Sequence, residues 1–320
     1  MKRIAALTAC LALAGTAWAQ SYPARPVKVV VPWPPGQATD IAARMIAQKL
    51  QEQLGQPFVV DNRPGAGGSL GTAVAVSSPA DGYTLLAASS GPISIMPSLQ
   101  KLPYDPLKDL VLVSLITRNP YALVVHPSFP ANNAKEFVTL LKASPDKYTF
   151  ASSGTGATAH LLAELFNSMA QVQARHIPYK GSAPALTDVM NGEVSYMIET
   201  VAATVGHVRS GRLKALGVST ARRAAAMPDV PTLAEAAELP DYDAAAWIGY
   251  AAPAGTPREV IARLSGEIQK ALQAPDMKER LLNAGLDPAD VAPDQLGAFM
   301  RREQDRYAAV IKNANIKIEP

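Results

Sequence analysis

The chain has 320 residues, 48% of them hydrophobic and 18% charged, with one cysteine and a formal net charge of +3. That length suits two domains, each large enough to bury its own core. The near balance of charge excludes the basic footprint of a nucleic-acid binder. Past the first residues, no apolar run approaches the ~20 residues of a membrane-crossing helix.

Lys2 and Arg3 precede an apolar stretch from Ile4 to Ala14, and Ala17-Trp18-Ala19 forms a small-x-small site before Gln20. This is the layout of a secretory signal peptide. Residues 1–19 are therefore expected to be removed and the mature protein to reside in the periplasm. Leu7-Thr8-Ala9-Cys10 mimics a lipoprotein processing box. Only six residues separate Arg3 from Cys10, however, fewer than the apolar core of about 7–15 residues that export requires. Cleavage after Ala19 removes the only cysteine, so the mature chain must rely on packing rather than disulfides. Without Lys2 and Arg3, 28 basic residues face 27 acidic ones, a net charge of +1. Nucleotides and reduced nicotinamides are scarce in the periplasm, and no cofactor is expected.

Val27 to Val31 is apolar except for Lys28, and reads as a strand buried on both faces. It ends in Pro32-Trp33-Pro34-Pro35-Gly36, and a helix follows with Ile41, Met45, Ile46 and Leu50 on one stripe. Phe58 to Val60 reads as a strand, Arg63 to Gly71 as a Gly-rich turn, and Tyr83 to Ala88 as a strand after Asp81-Gly82. Val111 to Ile116 and Ala122 to Val125 are two further strands. A second series reads helix 134–142, strand 148–151, helix 157–169, strand 174–178, helix 182–190, strand 194–198 and strand 213–218. The strand Trp247 to Ala252 precedes helices at about 257–273, 276–284 and 292–313, the first with Thr256 as N-cap and Pro257 opening it. Repeated βα units predict largely parallel sheets with helices on both faces. No internal sequence repeat is visible.

Chemistry concentrates at strand ends. In Pro34 to Asp40 a Pro/Gly turn leads into a helix, whose unpaired N–H groups and positive dipole end suit an anion. An ordinary βα connection is the plainer alternative. Ser152-Ser153-Gly154-Thr155-Gly156-Ala157-Thr158-Ala159-His160 repeats the arrangement before a second helix. Glycines let backbone amides approach a ligand, and Ser and Thr add neutral donors. Ser89-Ser90-Gly91 and Tyr179-Lys180-Gly181-Ser182 are two more polar strand ends, where ligands of open α/β sheets bind. Glu199 ends a strand, either to accept hydrogen bonds from a ligand or to cap the next helix. His160 either lines the cleft as a donor or fixes its loop. The glycines of Arg63 to Gly71 lack G-x-G-x-x-G spacing, since position 70 is Leu, so they mark a packing turn. The four histidines are scattered and no cysteine completes a zinc site. No G-x-S-x-G elbow is present for a hydrolase.

The chain resembles the substrate-binding proteins of tripartite tricarboxylate transporters, the Bug or TctC family. The resemblance is carried by Tyr22-Pro23 with Arg25-Pro26, Val29 to Pro35, Val60-Asp61-Asn62-Arg63-Pro64-Gly65-Ala66-Gly67-Gly68 and Pro79-Ala80-Asp81-Gly82-Tyr83-Thr84-Leu85-Leu86. It continues through Leu102-Pro103-Tyr104-Asp105-Pro106, Ile177-Pro178-Tyr179-Lys180-Gly181-Ser182, Asp229-Val230-Pro231-Thr232 with Glu235, and Ala252-Pro253-Ala254-Gly255-Thr256-Pro257. It implies a type II periplasmic binding fold of two α/β domains around a cleft. The expected division is 20–121 with 242–320 in a discontinuous first domain, and 122–241 in the second.

The resemblance further implies a monomer that grips a small carboxylate through backbone amides of two pincer loops, Trp33 to Asp40 and Ser152 to His160, partly through waters. It would deliver that ligand to a large and a small integral-membrane subunit. The expected site comprises Trp33, Pro35, Gly36, Gln37, Ala38 and Thr39; Ser89 and Ser90; Ser153, Gly154, Thr155, Thr158 and His160; and Lys180 with Glu199. Departures from the family pattern are Trp33 for Phe, Gln37 for Gly, Ala159 for Ser or Thr, and Glu199 for Asp. Two rivals differ in class. One is a sensory binding protein of the same fold feeding a two-component system, separable by neighbouring genes. The other is a periplasmic hydrolase, disfavoured by the missing nucleophile–base motif.

Overall fold

In the computed structural model, residues 22–145, 147–289 and 291–317 are described; the expected signal peptide lies outside them. Strand β1 (Val27–Val31) illustrates how the first lobe is built. Val27, Val29 and Val31 enter one apolar cluster and Val30 the cluster on the opposite face. Both faces of the sheet are thus covered, which explains valines on both, with only Lys28 of this strand exposed. Helix α1 (Ala38–Leu54) packs Ala42, Ala43, Ile46 and Leu50 onto the first of these faces. It stops at Gly55, whose φ of +72° supplies the left-handed cap. Strand β2 (Phe58–Asn62), helix α2 (Ser69–Val76) and strand β3 (Thr84–Ser89) follow. A π-helical turn, Gly91–Ile95, leads into the short helices α3 (Met96–Leu99) and α4 (Pro106–Asp109), and then strand β4 (Leu110–Asn119).

Strand β5 (Tyr121–Val125) opens the second lobe. It is followed by α5 (Ala134–Ala143), β6 (Thr149–Ser152), α6 (Thr158–Ala170), β7 (Arg175–Pro178), α7 (Ser182–Asn191), β8 (Tyr196–Thr200), α8 (Val201–Arg209), β9 (Lys214–Val218) and α9 (Leu233–Ala236). The chain then returns to the first sheet as β10 (Ala246–Pro253) and ends in α10 (Arg258–Gln273), α11 (Pro275–Asn283) and α12 (Leu296–Asn313).

The strand orders are β2-β1-β3-β10-β4 and β7-β6-β8-β5-β9. These are one topology used twice, without any sequence repeat to announce it. In each sheet the strand next to the edge, β1 or β6, lies parallel to both neighbours and feeds a helix through a glycine-containing loop. The expectation of largely parallel sheets needs correcting. Strand β10 runs antiparallel to β3 and β4, and β5 antiparallel to β8 and β9. The reason is long-range: these strands enter from the opposite lobe, so no βα crossover sets their direction.

Three connections join the lobes. Only Pro120 separates β4 from β5. Beside it, the Ser219 hydroxyl accepts from the Tyr121 N–H (2.9 Å) and donates to the Ala244 carbonyl (2.6 Å), stitching the two crossing strands together. Arg118 pairs with Asp243 at 3.1 Å across the same junction. The third connection is α12. Leu296, Phe299 and Met300 join the core of the first lobe, while Tyr307 and Ile311 join that of the second.

Several local readings differ from the sequence expectation, and helices α2, α3, α4 and α9 were not foreseen. Helix α10 begins one residue later than foreseen, with Pro257 in the N-cap position, and the Thr256 hydroxyl donates to the Pro253 carbonyl at 2.7 Å instead of capping. Helix α8 went unread because Gly206 and several β-branched residues weaken its helical signal.

Candidate ligand-binding cleft

The first pincer runs from the end of β1 through residues 32–37 into α1. Gly36, at φ +83°, donates its N–H to Asp40 Oδ2 at 2.9 Å. Asp40 is the third residue of the helix and almost fully buried. Its oxygens also accept from Arg44 Nε (3.0 Å) and Asn62 Nδ2 (2.9 Å). Burial alone would raise the Asp40 pKa. The hydrogen bonds from Arg44, Gly36 and Asn62, with the Arg44 charge, outweigh it and hold the carboxyl below its ordinary value. Asn62 also donates to the Trp33 carbonyl at 3.0 Å, so the whole turn is pinned from behind.

The second pincer runs from β6 through residues 153–157 into α6. Gly156, at φ +77°, donates its N–H to His160 Nδ1 at 3.1 Å. An Nδ1 that accepts carries no proton, which leaves the proton of a neutral ring on Nε2, 3.6 Å from Glu164. The His160 ring stacks on His176 with centroids 3.8 Å apart, and Phe150 stacks behind His176 at 4.9 Å. Burial, reinforced by the charge His160 would carry, pushes the His176 pKa down to about 4. His176 Nε2 in turn pairs with the Ser152 hydroxyl at 2.7 Å, and that hydroxyl bonds both ends of Gly154.

Neither helix carries a side-chain cap. The N-cap residues are Gln37 and Ala157, and no side chain accepts from the first-turn N–H groups of α1 or α6 there. The first intrahelical bonds are Ile41 N–H to the Gln37 carbonyl and Leu161 N–H to the Ala157 carbonyl. The donors before them are the groups a helix presents to an anion.

Both helix ends face one cavity of about 600 Å³, lined from both lobes. Among the sequence-derived candidates, Trp33, Ala38, Thr39, Ser89, Ser90, Ser153, Gly154, Thr155 and Thr158 line it. Six do not. Pro35, Gly36, Gln37 and Lys180 are exposed and do not contribute to the cavity lining. His160 is buried as the fixture of its loop, the second of its two readings. Glu199 is buried with one oxygen accepting from the Ser182 hydroxyl (2.8 Å) and the other from the Thr200 N–H (2.7 Å). It ties together the starts of α7 and α8 and is not among the residues lining the cavity.

Sequence reasoning missed the walls. Ile95, Met96 and Leu99 come from the π-turn and α3, Tyr121 and Trp247 from the crossing strands, and Leu286 from the turn after α11. Among the described residues, no Lys, Arg, His, Asp or Glu lines the cavity, and no group of three His, Cys, Asp or Glu is placed to hold a metal. No helix among them is long and apolar enough to cross a membrane. At one wall the Trp33 indole donates from Nε1 to the Ser89 hydroxyl at 2.9 Å. Gly68 and Gly91 lie against its edge. A Cβ at either would sit 3.3 or 3.2 Å from Trp33 Cζ2, so the absence of side chains there makes room for the ring.

Two α/β lobes with a cavity at the carboxyl ends of their strands define a periplasmic binding protein, a receptor rather than an enzyme. The profile of the family described as "Tripartite tricarboxylate transporter family receptor" matches residues 42–316. Protein BugT of Bordetella pertussis is 40% identical over 306 residues, covering 94% of this chain and 93% of BugT. A solved R. palustris protein with adipate is 34% identical, with a TM-score of 0.76 over 92% of this chain and 99% of that one. MatC from Rhodopseudomonas palustris with bound malate is 33% identical, with a TM-score of 0.72 over 91% and 100%. The chain belongs to the TctC/Bug family of periplasmic solute-binding proteins.

Proposed function

We propose that the protein captures a small organic acid anion in the periplasm and hands it to the large and small membrane subunits of a tripartite tricarboxylate-type transporter. Residues 1–19 direct its export, and it works as a monomer. The observation that carries the reading is the pair of uncapped helix N-termini, α1 and α6, opening into one cavity free of charged side chains. A carboxylate there accepts backbone N–H bonds from both lobes and draws them together. Ala38, Thr39, Thr155 and Thr158 are the contacts assigned to it. Each bond strengthens as water leaves the closing cleft. The adipate and malate held by the two solved relatives support a carboxylate as the ligand class.

The lobes are taken as two domains turning about the strands at 119–121 and 243–246, with α12 as a strap. Binding favours the closed arrangement only by its differential affinity for it. A thermal-shift screen of mono- and dicarboxylates against uncharged sugars and cations tests the class. A ligand at 100 times its Kd should add about 2.7 kcal/mol to stability. A melting temperature raised only by sugars or cations contradicts the proposal.

A further inference from the structure

We propose that the ligand is an aromatic carboxylate whose ring lies against the Trp33 indole, rather than a short hydroxylated or flexible aliphatic acid. The inference rests on the carboxylate reading above and adds the body of the ligand to it.

Two observations converge. First, the indole is held in place: its Nε1 donates to the Ser89 hydroxyl, the Trp33 backbone carbonyl accepts from Asn62, and Gly68 and Gly91 give the ring edge a seat. An aromatic face held this way stacks a ring without losing much freedom. Second, the remaining wall is apolar, with Ile95, Met96, Leu99 and Leu286 on it. The Met96 thioether is a soft, adaptable neighbour for a ring. The cavity volume falls within the range of about 300–1,000 Å³ usual for small-molecule sites.

Calorimetry on the mature chain with benzoate, cinnamate, hexanoate, adipate, malate and benzamide tests this. The expected result is that benzoate or cinnamate binds at least about tenfold tighter than hexanoate, adipate or malate, with benzamide silent. Trp33→Leu, which keeps apolar bulk but no π face, should erase that preference, and Trp33→Phe should restore most of it. Adipate, malate or hexanoate equalling every aromatic acid while benzamide stays silent overturns the inference and leaves the carboxylate reading standing. Benzamide binding as tightly as benzoate overturns the carboxylate reading instead. Absence of binding by all the acids overturns both. An aromatic preference that persists unchanged in a folded Trp33→Leu removes the indole from the site.

Discussion

The two pincer loops solve the same problem with different chemistry. In each, the third residue of a helix accepts the backbone N–H of the glycine four positions earlier: Asp40 from Gly36, His160 from Gly156. Each arrangement closes the loop from behind and leaves the first-turn donors in front. The first uses a buried carboxylate anchored by Arg44 and Asn62. The second uses a neutral imidazole held in a stack of rings. The carboxylate complements the dipole of its own helix but repels an anion, whereas the imidazole leaves its dipole uncompensated. The second pincer is therefore the more electropositive of the two, and the first the more rigidly charged.

The largest effect should come from separating the pincers without touching either. A Cβ at Gly285, in the first lobe, would lie 2.5 Å from the Ala202 Cβ in the second. Ala202→Leu adds bulk at this contact and should hold the lobes apart. Overpacking of about 1–3 kcal/mol corresponds to roughly a 5- to 150-fold loss of affinity for every ligand. Titration calorimetry showing wild-type affinity would mean that the lobes need not meet there.

Asp40→Ala removes one fixture and strands the Gly36 N–H and the Asn62 amide. Arg44 is half exposed, so its charge counts for little. A loss of about 2 kcal/mol in apo stability by urea unfolding is expected, with weaker binding. His160→Ala should cost less stability, because a neutral acceptor is lost. The reverse order would show that the two fixtures had been ranked wrongly.

The loops should also fail at different pH. The His176 pKa is lowered from 6.5 to about 4, so the unfolded chain binds more protons between these values and stability falls as pH drops through them. Because His176 is only half-buried, about 1–2 kcal/mol is a fair scale. Asp40 also has a lowered pKa, and its contribution is whole above the ordinary carboxylate value and lost only as pH falls below it. His176→Phe keeps the stack and removes the titration, so melting temperature should fall less between pH 6.5 and 4. An unchanged pH profile would place the acid sensitivity elsewhere. The smallest effects belong to Gln37→Ala and Lys180→Ala, exposed side chains outside the cavity. Affinity should move by less than about twofold, within the usual range for surface changes.

What could be read in the sequence is what is local. A strand, a glycine turn and a helix start occupy a dozen consecutive residues, so the two loops at 34–40 and 152–160 stood out as candidates, and the family resemblance named residues within them. The walls were illegible because Met96, Leu99, Trp247 and Leu286 meet only through strand order and helix packing across the lobes. Gln37 and Glu199 mislead for a related reason. Both occupy positions next to helix starts, where backbone direction decides whether a side chain faces the cleft. One is exposed outside the lining, and the other bonds Ser182 and Thr200. The antiparallel strands β5 and β10 carry the same apolar pattern as parallel ones, so only the return of the chain between lobes reveals their direction.

The central claim is that one anion is gripped by backbone donors of both lobes. Amide chemical shifts of ¹⁵N-labelled mature protein, titrated with the tightest-binding carboxylate, test it most directly. The amides of Ala38, Thr39 and Asp40 and those of Thr158, Ala159 and His160 should move together, with one common Kd. Movement confined to one loop, or to neither, would contradict it.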